Sequence, residues 1–222
     1  MEFIKANRYL YKLFKGHFFF SPSWMPSKKS YLFITSWGRA GNTYAFFIFK
    51  NALPEKIISS HGHNIASLKE AKFHQINSLA LIRDPLESIS SMYLKRGFEK
   101  KYNDPFKGLA ALIDSWKKYH QFLLRDEFFS ILNFDNFINN PSILIQWHNE
   151  VFENPIDDET FQNAIIRARE IIESDNRDPL VRQLSSNEKD ILKSELREQI
   201  IKIDTENSLN KIYQSLISKA TK

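Results

Sequence analysis

Residues 31–50, YLFITSWGRAGNTYAFFIFK, constrain the fold more than any other stretch of the chain. An apolar run (Tyr31, Leu32, Phe33, Ile34) stops at a turn with two glycines, Gly38 and Gly41, and the cation Arg39 between them. Asn42 and Thr43 then open an apolar-rich segment of helical length, residues 44–53, which Pro54 ends. The order is strand, tight loop, helix. The N–H groups of such a loop and of the helix start form an anion site, and phosphate is the usual guest. No Lys follows Gly41, so the loop is not the Walker A pattern G-x-x-x-x-G-K-[ST], which disfavours an NTPase.

The rest of the chain alternates in the same way. Residues 56–60 (KIISS) form a short β-branched strand candidate, and the polar HGHN follows. Residues 77–82 (NSLALI) read as a buried strand running into Arg83, Asp84 and Pro85. Asp84 is a good N-cap, Pro85 suits the first helical position, and Gly97 can end that helix. Residues 109–125 are amphipathic and helical, residues 128–134 (FFSILNF) form a further strand, and residues 141–152, 158–173 and 186–203 read as helices. The expected fold class is α/β. A central parallel β-sheet is flanked by helices on both faces, in a three-layer architecture like that of P-loop NTPases. Ligands of such sheets bind beyond the carboxyl ends of the strands, so the loops after Thr35, Ser60 and Ile82 share one rim.

With 222 residues and 42% hydrophobic content, one domain with a substantial core is expected over residues 1–222. It divides into an N-terminal basic and aromatic helix and loop (1–30), a core (31–152) and C-terminal helices (153–222). The absence of Cys excludes disulfides and thiolate metal sites and is compatible with a reducing compartment. No apolar run reaches the roughly 18–20 residues of a membrane span, and charges interrupt every candidate signal-peptide core. A cytoplasmic location is expected. The net charge of +5 suits anionic small ligands and is weaker than the dense basic stripe of a nucleic-acid binder, so no nucleic-acid partner is expected. The N-terminal segment has two readings. The plainer one packs its aromatic face on the domain. The other lays it on a membrane surface as a basic amphipathic helix, a peripheral contact.

A second signature, LIRDPLESISSMYLKR, places Arg83 at a strand end and Ser91 eight residues later in the next helix. A guanidinium fork and a hydroxyl on one side of a ligand suit phosphate. Together with the glycine loop, this resembles the sulfotransferases that use 3′-phosphoadenylyl sulfate (PAPS). Their second motif reads approximately R-[ND]-P-x-[DE]-x-x-x-S, and here every spacing from Arg83 to Ser91 is kept. Their first motif reads approximately P-K-S-G-T-T-W. Gly41 and Thr43 match it, Arg39 stands for the Lys, and Ala40, Asn42 and Tyr44 replace Ser, Thr and Trp. Asn133-Phe134-Asp135-Asn136-Phe137 with Pro141 resembles the Y-E-D-L…P segment, and residues 114–119 resemble the W-x-x-[YH] helix before it.

The resemblance implies roles. Backbone N–H groups of Arg39, Ala40, Gly41, Asn42 and Thr43 hold the 5′-phosphosulfate, with Asn42 and Thr43 adding side-chain donors. Tyr44 stacks on adenine, Arg83 and Ser91 bind the 3′-phosphate, and Arg39 neutralises the bridging oxygen. His61 takes the place of the base in the family's K-T-H triplet. Ser59 stands for its Lys, and His63 lies two residues on. Arg182 is a loose counterpart of the C-terminal R-K-G loop. The implied reaction is in-line transfer of a sulfuryl group from PAPS, as co-substrate, to a hydroxyl or amine. The acceptor would be a small molecule, carbohydrate or lipid, and residues 98–106 and 174–185 are candidate acceptor loops. Charge spreads over the transferred group as in phosphoryl transfer, so positioning and electrostatics do most of the work and no metal is required. The dimerisation segment of cytosolic members is absent, which leaves the oligomeric state open.

Each residue also has a plainer reading. Arg83 can pair with Asp84 or Glu87, Ser91 can be a helix-surface serine, and Tyr44 can be core beside Phe46, Phe47 and Phe49. His61 and His63 have no third ligand at a recognisable metal spacing. His74, His120 and His148 read as surface or packing residues, and residues 187–198 as a solvated helix face. Two other functions stay open: a P-loop-type nucleotide or small-molecule kinase, and a noncatalytic nucleotide-binding member of the fold.

Overall fold

The computed structural model describes residues 25–60, 62–96, 105–174 and 186–220. Four strands, β1 (Leu32–Thr35), β2 (Ile58–Ser59), β3 (Ser78–Ile82) and β4 (Ser130–Asn133), form one sheet in the order β2-β1-β3-β4, with every pair parallel. Among the described residues nine helices surround it. They are α1 (Asn42–Ala52), α2 (Ile65–Phe73), α3 (Pro85–Arg96), α4 (Pro105–Arg125), α5 (Phe134–Asn139), α6 (Ser142–Val151), α7 (Asp158–Ser174), α8 (Ser186–Ile203) and α9 (Ser208–Lys219).

The strands read as unbroken apolar runs because both faces of the sheet are covered. Alternate side chains along each strand enter two different cores. Leu32, Ile34, Leu79, Leu81 and Leu132 join one core with α1, α6 and α7, including Ala45, Ile48, Trp147, Phe161 and Ala168. Phe33, Ala80, Ile82 and Ile131 join the other with α2, α3, α4, α8 and α9, including Leu68, Tyr93, Trp116, Ile200 and Leu216. The three-layer α/β architecture follows from these two cores sharing one sheet. The connection β1-α1-β2 lies on one face, and β2-α2-β3 crosses to the other side of β1 on the opposite face. The strand order therefore reverses between β1 and β3, which opens a crevice at their carboxyl ends.

Three helices were not foreseen. Each start is held by a polar side chain just before it. In α2 the Asn64 side chain accepts from Ser67 N at 3.0 Å. In α5 Asn133 accepts from Asp135 N at 2.7 Å, so the expected strand ends one residue earlier. In α9 the carboxylate of Asp204 accepts from Leu209 N at 2.8 Å. The N-terminal helix, Gly97 and Arg182 lie outside the described residues, as do residues 98–104 and 175–185 of the two expected acceptor loops. No helix among the described residues is long and apolar enough to cross a membrane.

Asp204 also fastens the α8–α9 corner to the helical layer. Its carboxylate receives Lys117 Nζ of α4 at 2.7 Å and Ser208 Oγ at 2.5 Å. Burial raises its pKa, but the hydrogen bonds from Lys117, Ser208 and Leu209 outweigh that and hold it below the ordinary carboxylate value. The unfolded chain therefore binds the proton more readily. The stabilisation is complete at neutral pH and is lost as pH falls through the depressed folded value. Asp204→Ala is expected to cost about 2–4 kcal/mol in urea unfolding at pH 7, from the lost cap and charged hydrogen bonds. Asp204→Asn should flatten the loss of stability below pH 4, and an acid limb identical to that of the parent would disprove this account.

Candidate functional site

The loop after β1 takes its shape from three residues with positive φ: Gly38 (143°), Arg39 (56°) and Gly41 (79°). Gly38 lies against Met92 of α3. A Cβ on Gly41 would come within 2.9 Å of Phe137 Cε1 and 3.0 Å of Phe134 Cε2, so α5 presses on the turn from behind. Gly41 is the N-cap of α1 and offers no side chain, and the first turn holds no acidic residue. The opening N–H groups of α1 therefore face the crevice with the positive end of the helix dipole and no internal counter-charge.

The loop after β3 approaches from the other side. Asp84 caps α3 by accepting from Glu87 N at 3.0 Å, with Pro85 as the first helical residue. Arg83 then reaches across: its Nη1 donates to the carbonyl of Arg39 at 2.9 Å. Arg39 returns the link, donating from Nε to Ser91 Oγ at 3.0 Å. The two signatures, 44 and 52 residues apart at these contacts, thus become one site. The Arg83 guanidinium lies 4.4 Å from the centre of the Phe134 ring, a cation–π contact. Its Nε is buried without a hydrogen-bond partner among the described residues.

Of the two partners in the plainer reading of Arg83, Asp84 and Glu87, an ion pair is formed with Glu87, at 3.7 Å. Glu87 is shared with two cations of α8, Arg197 in direct contact and Lys193 at 3.8 Å. The stretch 187–198 is therefore not a wholly solvated face: Leu196 is buried, and Lys193 and Arg197 reach the rim of the crevice. Spacing carried no signal for this contact. Phe134 could have been found, because it directly follows a strand's carboxyl end.

Other candidate residues are placed as follows. Ala40 is buried and contributes backbone only, while Thr43 is exposed at the start of α1. The Asn42 side chain is turned inward, with its amide matched to Thr35 O (3.2 Å), Ser36 Oγ (3.0 Å) and Ser36 N (3.2 Å), so it closes the turn. Tyr44 is half-buried, its ring 5.4 Å from Phe137 and its hydroxyl accepting from Arg169 Nε at 3.1 Å. His61 lies outside the described residues. His63 stands beside the loop after β1, its Nδ1 2.7 Å from the carbonyl of Ser36. A carbonyl can only accept, so Nδ1 carries the proton and Nε2 the lone pair in the neutral ring. His120 and His148 are packing residues. Burial lowers the pKa of His120 to about 3, and burial lowers that of His148 also. His74 pairs with Glu70 at 2.8 Å. Among the described residues no group of three or more His, Asp or Glu side chains could hold a metal ion.

No family model matches the chain, and no curated protein sequence matches it. Among solved structures it is similar to the crystal structure of mouse sulfotransferase SULT7A1 complexed with PAP. The identity is 11%, the match covers 87% of this chain and 91% of that one, and the TM-score is 0.45. At that distance, function has to be argued from the residues.

Gly41→Ala tests the loop. Its φ of 79° and the two phenylalanine contacts leave no room for a methyl group. A stability loss of about 1–3 kcal/mol in urea unfolding is expected. An unchanged midpoint would mean that the loop has another shape.

Proposed function

We propose that the chain is a PAPS-dependent sulfotransferase that moves a sulfuryl group to a hydroxyl or amine of a small-molecule, carbohydrate or lipid acceptor. The observation that carries this reading is the reciprocal link of Arg83 to the Arg39 carbonyl and of Arg39 to Ser91 Oγ, at the point where the strand order reverses. The residues fit a ligand with two anionic groups. The start of α1, which no side chain caps, suits one group, and Arg83, whose buried Nε has no partner among the described residues, and Ser91 suit the other.

When bound, PAPS supplies an activated sulfuryl group on a phosphate leaving group. The N–H groups of residues 39–43 hold the 5′-phosphosulfate, and Thr43 adds a hydroxyl. Arg83 and Ser91 hold the 3′-phosphate, and the Phe134 ring supports the Arg83 guanidinium through its cation–π contact. Tyr44 reaches the adenine by its ring face, with Arg169 holding its hydroxyl. Arg39 neutralises the leaving oxygen, where charge grows during transfer. The base belongs to the rim segment after β2. His61 is our first assignment. His63, whose tautomer the Ser36 carbonyl fixes, is the second.

Thermal shift measurements separate the readings. Stabilisation by adenosine 3′,5′-bisphosphate, with none by ADP and Mg²⁺, supports a sulfotransferase, and the reverse supports a kinase. Turnover of radiolabelled PAPS over a panel of sugars, lipids, phenols and amines then separates an enzyme from a binder.

Arg83→Ala should weaken the bisphosphate about 10–150-fold, the equivalent of roughly 1.5–3 kcal/mol for a charge-assisted bond, and AMP far less. Ser91→Ala should discriminate in the same direction, and equal losses for both ligands would refute the 3′-phosphate assignment. His61→Asn should lower transfer about 10²–10⁴-fold with bisphosphate binding intact, and His63→Asn should be milder. The opposite pattern moves the base to His63, and two active mutants remove general-base catalysis from this segment.

A further inference from the structure

Three consecutive residues at the carboxyl end of β1 are each tied to a different partner. Thr35 Oγ1 donates to the Gly62 carbonyl at 3.0 Å and lies 2.7 Å from Tyr119 Oη. The Ser36 carbonyl accepts from His63 Nδ1 at 2.7 Å. Trp37 Nε1 donates to Ser115 Oγ at 3.1 Å. Ser115 and Tyr119 lie one turn apart on α4, so that helix grips the segment at two points. A threonine hydroxyl has one proton, and here it goes to Gly62, so Tyr119 must be the donor to Thr35. Tyr119 is fully buried, and burial raises its pKa against the opposing effect of the Thr35 bond, so the phenol keeps its proton.

Resting on the transfer reading above, we infer that Thr35 and Tyr119 are positioning residues, a buried hydroxyl relay that sets where Gly62 and His63 stand relative to the anion-binding loop.

The polar relay needs a reason, because an apolar pair would fill the same space without burying two hydroxyls. Gly62 lies beyond the last residue of β2, where its carbonyl has no strand partner, and the relay satisfies it. Gly62 is also boxed in. A Cβ there would come within 2.6 Å of Ser67 Cβ and 3.0 Å of Phe33 Cζ. With α2 on one side and Thr35 on the other, the segment has one position. His63 depends on it, since its bond to Ser36 forms only if residue 62 is held beside residue 35. Misplacement of a catalytic group by about 1 Å can cost on the order of 10²-fold in rate.

The test uses the full chain with Thr35→Val, Tyr119→Phe and Thr35→Ser. Valine keeps the shape and removes both hydrogen bonds, and serine keeps the hydroxyl. In ¹⁵N-labelled protein, with His63→Asn to assign the ring, His63 should show a single Nδ1–H tautomer. Thr35→Val and Tyr119→Phe should give a mixture, and Thr35→Ser should restore the parent pattern. Affinity for adenosine 3′,5′-bisphosphate should stay within about twofold in all three. The rate of transfer from PAPS, to the acceptor that the parent chain sulfates, should fall about 10–100-fold in Thr35→Val and recover in Thr35→Ser. Unchanged His63 signals in Thr35→Val overturn the inference, and so does a loss of bisphosphate affinity as large as the loss of rate. A parent chain that binds no bisphosphate overturns the transfer reading instead, and the ring spectra then decide the tether alone.

Discussion

The bond from Arg83 to the carbonyl of Arg39 holds the rim of the sheet together. At the β1/β3 reversal the two following helices leave for opposite faces, and the backbone alone cannot join the loops they grow from. A side chain has to span the gap, and it has to serve several partners at once. The planar guanidinium does this where an ammonium could not. One Nη bonds the Arg39 carbonyl, the other faces Glu87, and the ring of Phe134 lies against the flat of the group. Arg39, a residue with positive φ, presents its carbonyl to Arg83 at the end of β3. The backbone strain of that residue is thereby offset by a charge-assisted bond.

That arrangement concentrates positive charge. Arg39, Arg83, Lys193 and Arg197 come to one rim from three parts of the chain, with Asp84 and Glu87 among the carboxylates beside them. Asp84 is committed to capping α3. Glu87 pairs with three of these cations, Arg83, Lys193 and Arg197, and like charges gathered at such spacing favour a bound anion. A mildly basic chain that spread its charge evenly would have no such preference. Here the excess is local, and it stands where an anion can also reach the start of α1.

The legibility of the sequence follows the range of the forces involved. β1, β3 and β4 were readable because burial on both faces makes a strand apolar throughout. The Arg83-Asp84-Pro85 turn was readable because capping is local chemistry. Helices α2 and α5 were not, because Asn64 caps α2 from within a polar stretch that looks like a loop, and Asn133 caps α5 from the end of an apolar run that reads as strand. For α9, the cap is Asp204, four residues before its first residue, in a carboxylate shared with Lys117 from another layer. Motif spacing pointed to Asn42 and Tyr44 but carried nothing about the direction of their side chains. Asn42 turns back to Thr35 and Ser36, and the hydroxyl of Tyr44 is held by Arg169, 125 residues away. The contact of Arg197 with Glu87 spans 110 residues and leaves no trace in spacing.

The helices that start at the carboxyl edge of the sheet differ in one respect. The starts of α2, α3 and α5 are each satisfied by a side chain of their own segment, Asn64, Asp84 or Asn133. The start of α1 is not, because its cap is a glycine that the packing of Phe134 and Phe137 requires to be one. An open helix start is a cost in isolation, since N–H groups are left without a protein acceptor. It becomes favourable when an anion supplies the acceptors, and the neighbouring guanidinium groups raise the local concentration of anions. The same substitution-intolerant glycine thus shapes the turn, seats α5 and leaves the helix dipole uncompensated. These three consequences of one missing Cβ make Gly41 the residue on which the shape of the loop depends.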